Sequence, residues 1–241
     1  MVILLEGING SGKSIIGNMI EKALREAGRD VVQYRDPGST ALGNQLRALL
    51  KKQEIPIVPV SQTLLFTAAR RQLLVEFIDK DISDGRDVIL DRWWPSTYAY
   101  QSIQGVESTW IVSLNMRCSQ VTIPKDLAFF LDILPETAMK RMANLSGEGY
   151  KDRFERQGFD FQRRLREKYT ELLSDFLTRI DAEVSVEEVF KACWTNIEGY
   201  FLTEVECSRD GCAEKVPTRV KDVEGEHYCP LCVKKGPPVD G

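Results

Sequence analysis

A glycine-rich phosphate-binding pattern lies close to the start of the chain. The segment Gly7-Ile8-Asn9-Gly10-Ser11-Gly12-Lys13-Ser14 matches G-x-x-x-x-G-K-[ST] in full, and it lies between an apolar run and a helical stretch. Backbone N–H groups of such a loop bind phosphate oxygens, because glycine places no Cβ in the way. Lys13 can reach the β- and γ-phosphates, and the Ser14 hydroxyl can bind Mg²⁺. The predicted phosphate-binding residues are Gly7, Asn9, Gly10, Ser11, Gly12, Lys13 and Ser14.

Charged side chains follow later predicted strands. Asp91 ends an apolar strand, where a P-loop protein places the carboxylate that supports Mg²⁺, although a turn-forming aspartate is the alternative. Arg92, beside it, could bind a substrate phosphate or serve as an ordinary ion-pair partner. Three further arginines could converge on the same sheet edge, but their spacing alone does not establish it: Arg35, Arg47 and Arg70.

A basic segment at residues 151–156 follows the glycine-containing break at residues 146–149. A mobile basic segment can close over transferring phosphates and exclude water. A solvated helix start of mixed charge is an equal alternative.

Four of the six cysteines form two short-spaced pairs near the end of the chain. Cys207 and Cys212 make one pair, and Cys229 and Cys232 make the other. This spacing predicts a closed, structural Zn²⁺ site, since a span this short cannot bury a core of its own. Free or disulfide-paired thiols are the alternative. The two remaining cysteines, Cys118 and Cys193, are expected to be ordinary buried or half-buried side chains.

The composition is that of an ordinary globular protein. The chain has 241 residues, of which 43% are hydrophobic and 28% are charged. The net charge of −4 gives no overall attraction for nucleic acid, so any phosphate must be bound by a local cluster. No apolar run has the length of a membrane span, and the start of the chain lacks the pattern of a secretory signal. The expected location is the cytoplasm.

Strands alternate with helices, which predicts a parallel α/β sheet with ligands at the carboxyl ends of its strands. The predicted strands cover residues 2–6, 31–34, 87–90, 126–131 and 180–182. The predicted helices cover residues 13–27, 41–52, 61–81, 135–144, 158–177 and 186–201, and another begins near residue 96. The helix at 61–81 is expected to bury an apolar stripe: Leu64, Leu65, Ala68, Leu73, Leu74 and Phe77.

Residues 1–200 resemble a thymidylate kinase in five segments that occur in the family's order. The first is the loop that begins at Glu6. The others are Arg35-Asp36-Pro37-Gly38-Ser39-Thr40, Leu65-Phe66-Thr67-Ala68-Ala69-Arg70, Asp91-Arg92 with Ala99-Tyr100-Gln101, and Asp152-Arg153-Phe154-Glu155 with Phe159-Asp160-Phe161. The resemblance implies a three-layer P-loop kinase fold, a homodimer, and transfer of the γ-phosphoryl of ATP to dTMP with Mg²⁺.

The resemblance also implies roles for individual residues. Phe66 would stack on thymine, Arg70 would bind its O4 edge, and Phe154 would lie near C2′ of the sugar. The remaining acceptor-binding residues would be Asn9, Arg35, Asp36, Arg47, Arg92, Thr97, Tyr100 and Gln101. Gly10 replaces an arginine that some members carry, which fits the subgroup whose lid supplies the catalytic charge, here Arg153 with Lys151 or Arg156 as further candidates. The catalytic set would then be Lys13, Arg92 and Arg153, with Ser14 and Asp91 at Mg²⁺.

Three departures from the family pattern affect the acceptor. Asn9 replaces an acidic residue, Asp36 replaces a longer Glu, and Trp93-Trp94-Pro95 is bulkier than usual. Two alternatives therefore stay open. One is a kinase of another or 5-modified deoxynucleotide, or of a modified base in DNA. The other is a nucleotide-binding scaffold with weak catalysis.

The expected organisation has three parts. Residues 1–203 form the kinase-like domain, residues 204–234 form the zinc module, and residues 235–241 form a disordered tail. The zinc module could contact protein or nucleic acid, or could simply stabilise the end of the chain.

Overall fold

A computed structural model of the chain describes residues 1–52, 55–119, 121, 123–145, 158–201, 204–206 and 215–217. The chain divides into two compact units, Met1–Lys191 and Ala192–Gly241. The predicted break at 146–149, the basic segment at 151–156 and the four paired cysteines lie outside the described residues.

The first unit contains a five-stranded, entirely parallel sheet. Its strands are β1 (Val2–Glu6), β2 (Val31–Arg35), β3 (Asp87–Asp91), β4 (Ala128–Asp132) and β5 (Thr178–Asp181). They lie in the order β2-β3-β1-β4-β5. Every residue of β1, β3 and β4 is buried, so helices must cover both faces of the sheet. This confirms the predicted parallel α/β class.

The carboxyl ends of the strands form the functional edge. From β1 the chain continues to β2, toward one edge of the sheet, whereas from β4 it continues to β5, at the opposite edge. In parallel sheets, ligands bind in the crevice where successive connections diverge in this way. Glu6, Arg35, Asp91 and Asp132 are the last residues of their strands at this edge. The sheet therefore brings together segments that lie far apart in the chain, from Glu6 to Asp132.

The described residues form several α-helices, and the last of them in chain order runs from the first unit into the second. They are α1 (Lys13–Glu26), α2 (Ala41–Lys51), α3 (Pro59–Leu73), α4 (Asp79–Ser83), α5 (Trp94–Ile103), α6 (Ser108–Cys118), α7 (Pro135–Leu145), α8 (Phe159–Thr170) and α9 (Val186–Phe201). A π-helical turn, Leu74–Ile78, joins α3 to α4, and a short 3₁₀ turn, Lys125–Leu127, precedes β4. In the second unit, β6 (Glu204–Glu206) and β7 (Lys215–Pro217) pair in antiparallel fashion. Within the described residues, none of the helices is long and apolar enough to cross a bilayer.

Local signals at two helix ends behave as predicted. Thr40 caps α2, since its side-chain oxygen accepts a hydrogen bond from the Gly43 N–H at 2.8 Å. Gly28, just past α1, has a φ of 78°, which glycine adopts without a steric penalty. Cys193 is fully buried and Cys118 is half-buried, as expected.

The predicted apolar stripe on the helix at 61–81 is wrong in part. Leu64 and Ala68 are exposed, whereas Leu73 and Leu74 are buried. The face of α3 that enters the interior is largely polar, with these buried side chains: Gln62, Thr63, Thr67 and Arg70. A prediction based on hydrophobicity assigned the wrong side of α3 to the interior, because the side chains buried there are polar and form hydrogen bonds.

Two other boundaries and one helix differ from the predictions. The helix expected to extend to residue 177 ends at Thr170, and turns such as Leu172 N–H to Tyr169 C=O then lead the chain into β5. The strand expected from residue 126 begins at Ala128, after the 3₁₀ turn. Helix α6 was not predicted.

Candidate active site

The phosphate loop adopts a conformation that only glycine permits at two of its positions. Gly7 has a φ of 147°, and a Cβ there would lie 2.8 Å from the Leu131 carbonyl oxygen. Gly10 has a φ of 85°, and a Cβ there would lie 2.6 Å from the Ala138 carbonyl oxygen. A larger residue at position 10 would require the backbone of α7 to shift.

Helix α1 begins directly after this loop. Its N-cap is Gly12, with a φ of 95° and no side-chain cap among the described residues. The first N–H groups of α1 therefore remain available to an anion, and the helix dipole favours negative charge at this end.

Lys13 is buried and folds back on the loop. Its Nζ donates to the carbonyl oxygens of Gly7 and Ile8, both at 2.9 Å, and lies 3.4 Å from Ser11 Oγ. Burial, and then the nearby guanidinium of Arg92, lower the pKa of Lys13 to about 7. The negative charge of a bound phosphate would therefore favour the protonated form of Lys13.

Ser14, Arg35 and Asp91 form a second cluster beside the loop. Ser14 Oγ donates to Asp91 Oδ2 at 3.3 Å. Arg35 donates to the same carboxylate oxygen from Nε at 3.0 Å and Nη2 at 2.6 Å, and its Nη2 also donates to Ser14 Oγ at 2.9 Å. Burial would raise the pKa of Asp91, but Lys13, Arg92 and Arg35 outweigh it and keep that pKa below its ordinary value. Asp91 is therefore an ionised acceptor.

The donor set of this cluster suits Mg²⁺. The Ser14 hydroxyl and the Asp91 carboxylate are hard oxygen ligands on adjacent elements, and such oxygens, with nucleotide phosphates, are what Mg²⁺ prefers. Among the described residues, no group of three or more His, Cys, Asp or Glu side chains could hold a metal by itself. A Mg²⁺ ion here would thus share its ligands with a nucleotide.

Arg92 forms a third cluster, against the other side of the loop. Its Nη1 donates to the Gly7 carbonyl at 3.0 Å, and its Nη2 donates to Asn9 Oδ1 at 2.7 Å. Its guanidinium carbon also lies 5.7 Å from the centre of the Tyr100 ring. Arg92 has a φ of 77°, an unusual conformation for a residue with a side chain. Asn9, which departs from the family pattern, therefore serves as an acceptor for this arginine.

Arg70 is the centre of a fully buried network between α3, α5 and α6. Its Nε donates to Asp36 Oδ2 at 2.7 Å, and its Nη2 donates to Thr97 Oγ1 at 2.7 Å. Its Nη1 donates to Asn115 Oδ1, and its guanidinium lies over the Trp93 ring at 5.5 Å. Burial raises the pKa of Asp36, although the charge of Arg70 opposes this rise.

Two buried acceptor atoms near this network lack a partner among the described residues, namely Asp36 Oδ1 and Gln101 Oε1. The Gln101 amide donates to Gln62 Oε1 at 3.5 Å. Since buried polar atoms are nearly always paired, these two oxygens suit a ligand that carries N–H or O–H donors.

The other predicted acceptor-binding residues lie on the same elements. Phe66 is half-buried on α3, one turn before Arg70. Tyr100 packs against Phe161 at a ring distance of 5.9 Å. Arg47 of α2 donates to the Pro37 carbonyl at 3.0 Å. The structure thus brings Lys13, Ser14, Arg35, Asp91 and Arg92 to one loop, while Arg153 and Phe154 lie outside the described residues.

Sequence reasoning missed two parts of the site. One is Asn115 on α6. Its position among apolar residues could have indicated a buried polar side chain: Ile111, Val112, Leu114 and Met116. The partners of Glu6, which are Ser96 and Tyr169, carried no sequence signal.

Comparison with known proteins agrees with this geometry. A family model described as thymidylate kinase matches residues 5–193. The thymidylate kinase of Chlorobaculum tepidum is 36% identical over 208 residues, which cover 82% of this chain and 97% of the relative. That of Chlorobaculum parvum is 35% identical over 214 residues (85% and 98%), and that of Caldanaerobacter subterraneus subsp. tengcongensis is 36% identical over 204 residues (82% and 95%). This chain belongs to the thymidylate kinase family.

Proposed function

We propose that the protein transfers the γ-phosphoryl group of ATP to the 5′-phosphate of dTMP and so forms dTDP. The observation that carries this proposal is the convergence of Lys13, Arg35 and Arg92 on one phosphate loop at the sheet edge. Transfer between two phosphates requires positioning and charge stabilisation rather than covalent catalysis. The acceptor oxygen is already ionised at neutral pH, so no general base is needed.

The loop and α1 bind the phosphates of ATP. Backbone N–H groups from Gly7 to Ser14 hold the phosphate oxygens, and Lys13 exchanges its carbonyl contacts for the β- and γ-phosphates. Ser14 and Asp91 would hold Mg²⁺, which when bound neutralises charge on the transferring phosphoryl group.

Arginines from three elements bind the acceptor phosphate. Arg35 ends β2, Arg92 follows β3 and Arg47 lies on α2, and each guanidinium can bind two phosphate oxygens at once. Asn9 fixes one side of the Arg92 guanidinium. A lid that contains Arg153, with Lys151 and Arg156 as further candidates, would add charge in the transition state, and Phe154 would exclude a 2′-hydroxyl.

The base would lie beside α3 and α5, near the buried Arg70 network. Phe66 stacks on the pyrimidine, and Arg70, fixed by Asp36 and Thr97, presents its remaining N–H groups to a carbonyl oxygen of the base. The unpaired Gln101 Oε1 is suited to accept the ring N–H, and Tyr100 lines the sugar side. A base with the opposite donor and acceptor pattern would leave these buried groups unpaired.

We also propose a homodimer, supported by an exposed apolar surface on α3. On α3, Val60 and Leu64 are 49% and 47% exposed, and Ala68 is exposed one turn further on. Val75, in the π-helical turn that follows α3, is 54% exposed. Leu42 on α2 and Met116 on α6, helices that pack against α3, are exposed as well. An apolar surface that crosses helices is typical of a protein interface.

The zinc module at residues 204–234 is a proposal from cysteine spacing alone. Its four ligands would be Cys207, Cys212, Cys229 and Cys232. Mass spectrometry of the metal content of the intact chain tests it: about one zinc per chain is expected, whereas a zinc-free, fully folded protein contradicts it. We place the reaction in the cytoplasm, where both nucleotides are available.

The test of the function is a panel of acceptors at fixed Mg²⁺ and ATP. The expected result is that kcat/KM is highest for dTMP among dTMP, dUMP, 5-hydroxymethyl-dUMP, dCMP and dGMP. A higher value for a 5-modified deoxyuridylate would favour the alternative acceptor. Binding of ATP without transfer to any monophosphate would favour the scaffold alternative.

A further inference from the structure

Glu6 is a fully buried carboxylate at the carboxyl end of β1, and the proposed reaction gives it no task. Its Oε1 accepts hydrogen bonds from two backbone N–H groups, that of Trp93 at 2.7 Å and that of Ser96 at 3.2 Å. These N–H groups belong to the turn that follows Arg92, the residue with a φ of 77°. Glu6 therefore holds the backbone from which the Arg92 side chain extends.

The other oxygen of Glu6 contacts two hydroxyl groups. Ser96 Oγ donates to Glu6 Oε2 at 2.7 Å, and Tyr169 Oη donates to it at 3.0 Å. The same two hydroxyl oxygens accept hydrogen bonds from Arg92 Nη1, at 3.0 Å and 3.1 Å. The carboxylate thus accepts four hydrogen bonds and reaches the guanidinium through two hydroxyl bridges. Burial raises the pKa of Glu6, while Arg92 and the donors on Ser96 and Trp93 oppose that rise.

This arrangement crosses three elements. Glu6 lies on β1, Ser96 lies on α5, and Tyr169 lies on α8, where its ring also stacks on Phe130 at 5.1 Å. Tyr169 is completely buried, so its hydroxyl position is fixed by packing.

We infer that Glu6, acting through the hydroxyls of Ser96 and Tyr169, is the positioning residue that orients Arg92 toward the acceptor phosphate. This inference rests on the proposed function, in which Arg92 binds that phosphate. Glu6 touches no substrate in this account. It fixes the direction of the hydrogen bonds around the arginine.

The direction of these bonds is what makes a carboxylate necessary. With Glu6 as acceptor, the Ser96 and Tyr169 hydroxyls donate toward it, directly or through each other at 2.8 Å, and their lone pairs face the N–H groups of Arg92. The Glu6→Gln variant has nearly the same shape, but its side-chain amide would donate to the hydroxyls. The hydroxyl protons would then turn toward Arg92, where two donors would face each other.

The experiment compares Glu6→Gln with the wild type in steady-state kinetics and in calorimetric binding of dTMP and ATP. We expect kcat/KM for dTMP to fall about 10- to 100-fold and the Kd for dTMP to rise in parallel. The Kd for ATP should change much less than the Kd for dTMP, because Lys13 makes its hydrogen bonds to the Gly7 and Ile8 carbonyls and Glu6 acts on it only through its charge. A general structural defect would weaken the binding of both nucleotides to the same extent, and that outcome overturns the inference.

Two further variants sharpen the comparison. Tyr169→Phe removes one bridge and should show the same dTMP-selective loss to a smaller degree. Tyr98→Phe is its matched control, because Tyr98 Oη donates at 2.7 Å to Glu171, just after α8, and so joins the same two regions at the surface. It should leave both affinities unchanged. Equal losses in the two tyrosine variants would contradict the inference.

A double-mutant cycle separates this inference from the proposed function. If Arg92→Ala alone leaves dTMP kinetics unchanged, the proposed role of Arg92 fails. If Arg92→Ala lowers kcat/KM for dTMP, then adding Glu6→Gln to that variant should lower it no further, because Glu6 acts through Arg92. Additive losses overturn the positioning role. Should Glu6→Gln fail to show a cooperative unfolding transition, Ser96→Ala replaces it in the same cycle with the same criteria.

Discussion

Lys13 Nζ and Arg92 Nη1 donate to the same atom, the carbonyl oxygen of Gly7, at 2.9 Å and 3.0 Å. The two cations come from segments about eighty residues apart, and the parallel pairing of β1 with β3 brings them together. Like charges this close repel each other, which is one reason that the pKa of Lys13 is lowered to about 7. An anion between them would relieve that repulsion.

This relationship predicts that ATP binding takes up a proton. The phosphates favour charged Lys13 and so raise its pKa from about 7 in the free protein. At about pH 8 free Lys13 is mostly neutral, so binding should take up close to one proton, while at about pH 6 it should take up almost none. ATP affinity should accordingly decrease as the pH rises above about 7. Calorimetry in two buffers of different ionisation enthalpy measures the uptake.

Lys13→Ala is the control for this measurement. It should abolish the proton uptake at about pH 8 and leave the cooperative unfolding transition intact. Equal uptake at the two pH values in the wild type would contradict the assignment.

Asp91→Asn tests the proposed Mg²⁺ ligand. The amide keeps the size of the side chain but removes the charge that binds Mg²⁺ and the Arg35 guanidinium. The Mg²⁺ concentration for half-maximal rate should rise about 10- to 100-fold. Asp132→Asn is a matched control, since Asp132 is another buried carboxylate at a strand end, paired with Arg166 and Arg179. It should alter stability without altering the Mg²⁺ requirement, and equal Mg²⁺ dependence in the two variants would exclude Asp91 as a ligand.

The buried pair of Asp36 and Arg70 should be essential for folding as well as for the base pocket. Each side chain is 1% exposed, and Asp36→Ala would leave the guanidinium charge without its carboxylate. We expect a loss of about 3–5 kcal/mol in the free energy of unfolding by urea. Asp30→Ala breaks an exposed pair with Arg86 and should cause no measurable change. Similar losses in both variants would show that the burial of the Arg70 network does not control stability.

Leu64→Glu tests the proposed dimer surface. A charge in the middle of an apolar interface is costly to bury, so the variant should elute as a monomer while the wild type elutes as a dimer. Light scattering after size exclusion gives the mass. Val184→Glu, at an exposed apolar residue away from α3, should stay dimeric. A wild-type monomer, or a dimeric Leu64→Glu variant, would contradict the proposal.

Much of the fold could be predicted from local pattern. Val2–Glu6 and Asp87–Asp91 are short, buried, mostly apolar strands. The glycines after β1 and the lysine that begins α1 match a phosphate-binding pattern with few other structural explanations. Because parallel strands share one carboxyl edge, the meeting of Lys13, Asp91 and Arg92 follows from chain order and the P-loop pattern together.

The interior beside α3 could not be predicted in the same way. Leu64 lies at an exposed position and Arg70 at a fully buried one, which reverses what hydrophobicity indicates. Arg70 is buried because Asp36, Thr97 and Asn115 satisfy its donors, and these partners come from three other segments. Because these partners are distant in sequence, the burial of Arg70 cannot be recognised from the hydrophobic periodicity of α3.

The most direct test of this account is the transfer of radiolabel from [γ-³²P]ATP to dTMP with Mg²⁺, by the wild type and by Lys13→Ala side by side. We expect labelled dTDP from the wild type and a loss of about 10²- to 10³-fold or more in Lys13→Ala. An absence of labelled dTDP from the folded wild type, or equal turnover by Lys13→Ala, would contradict it.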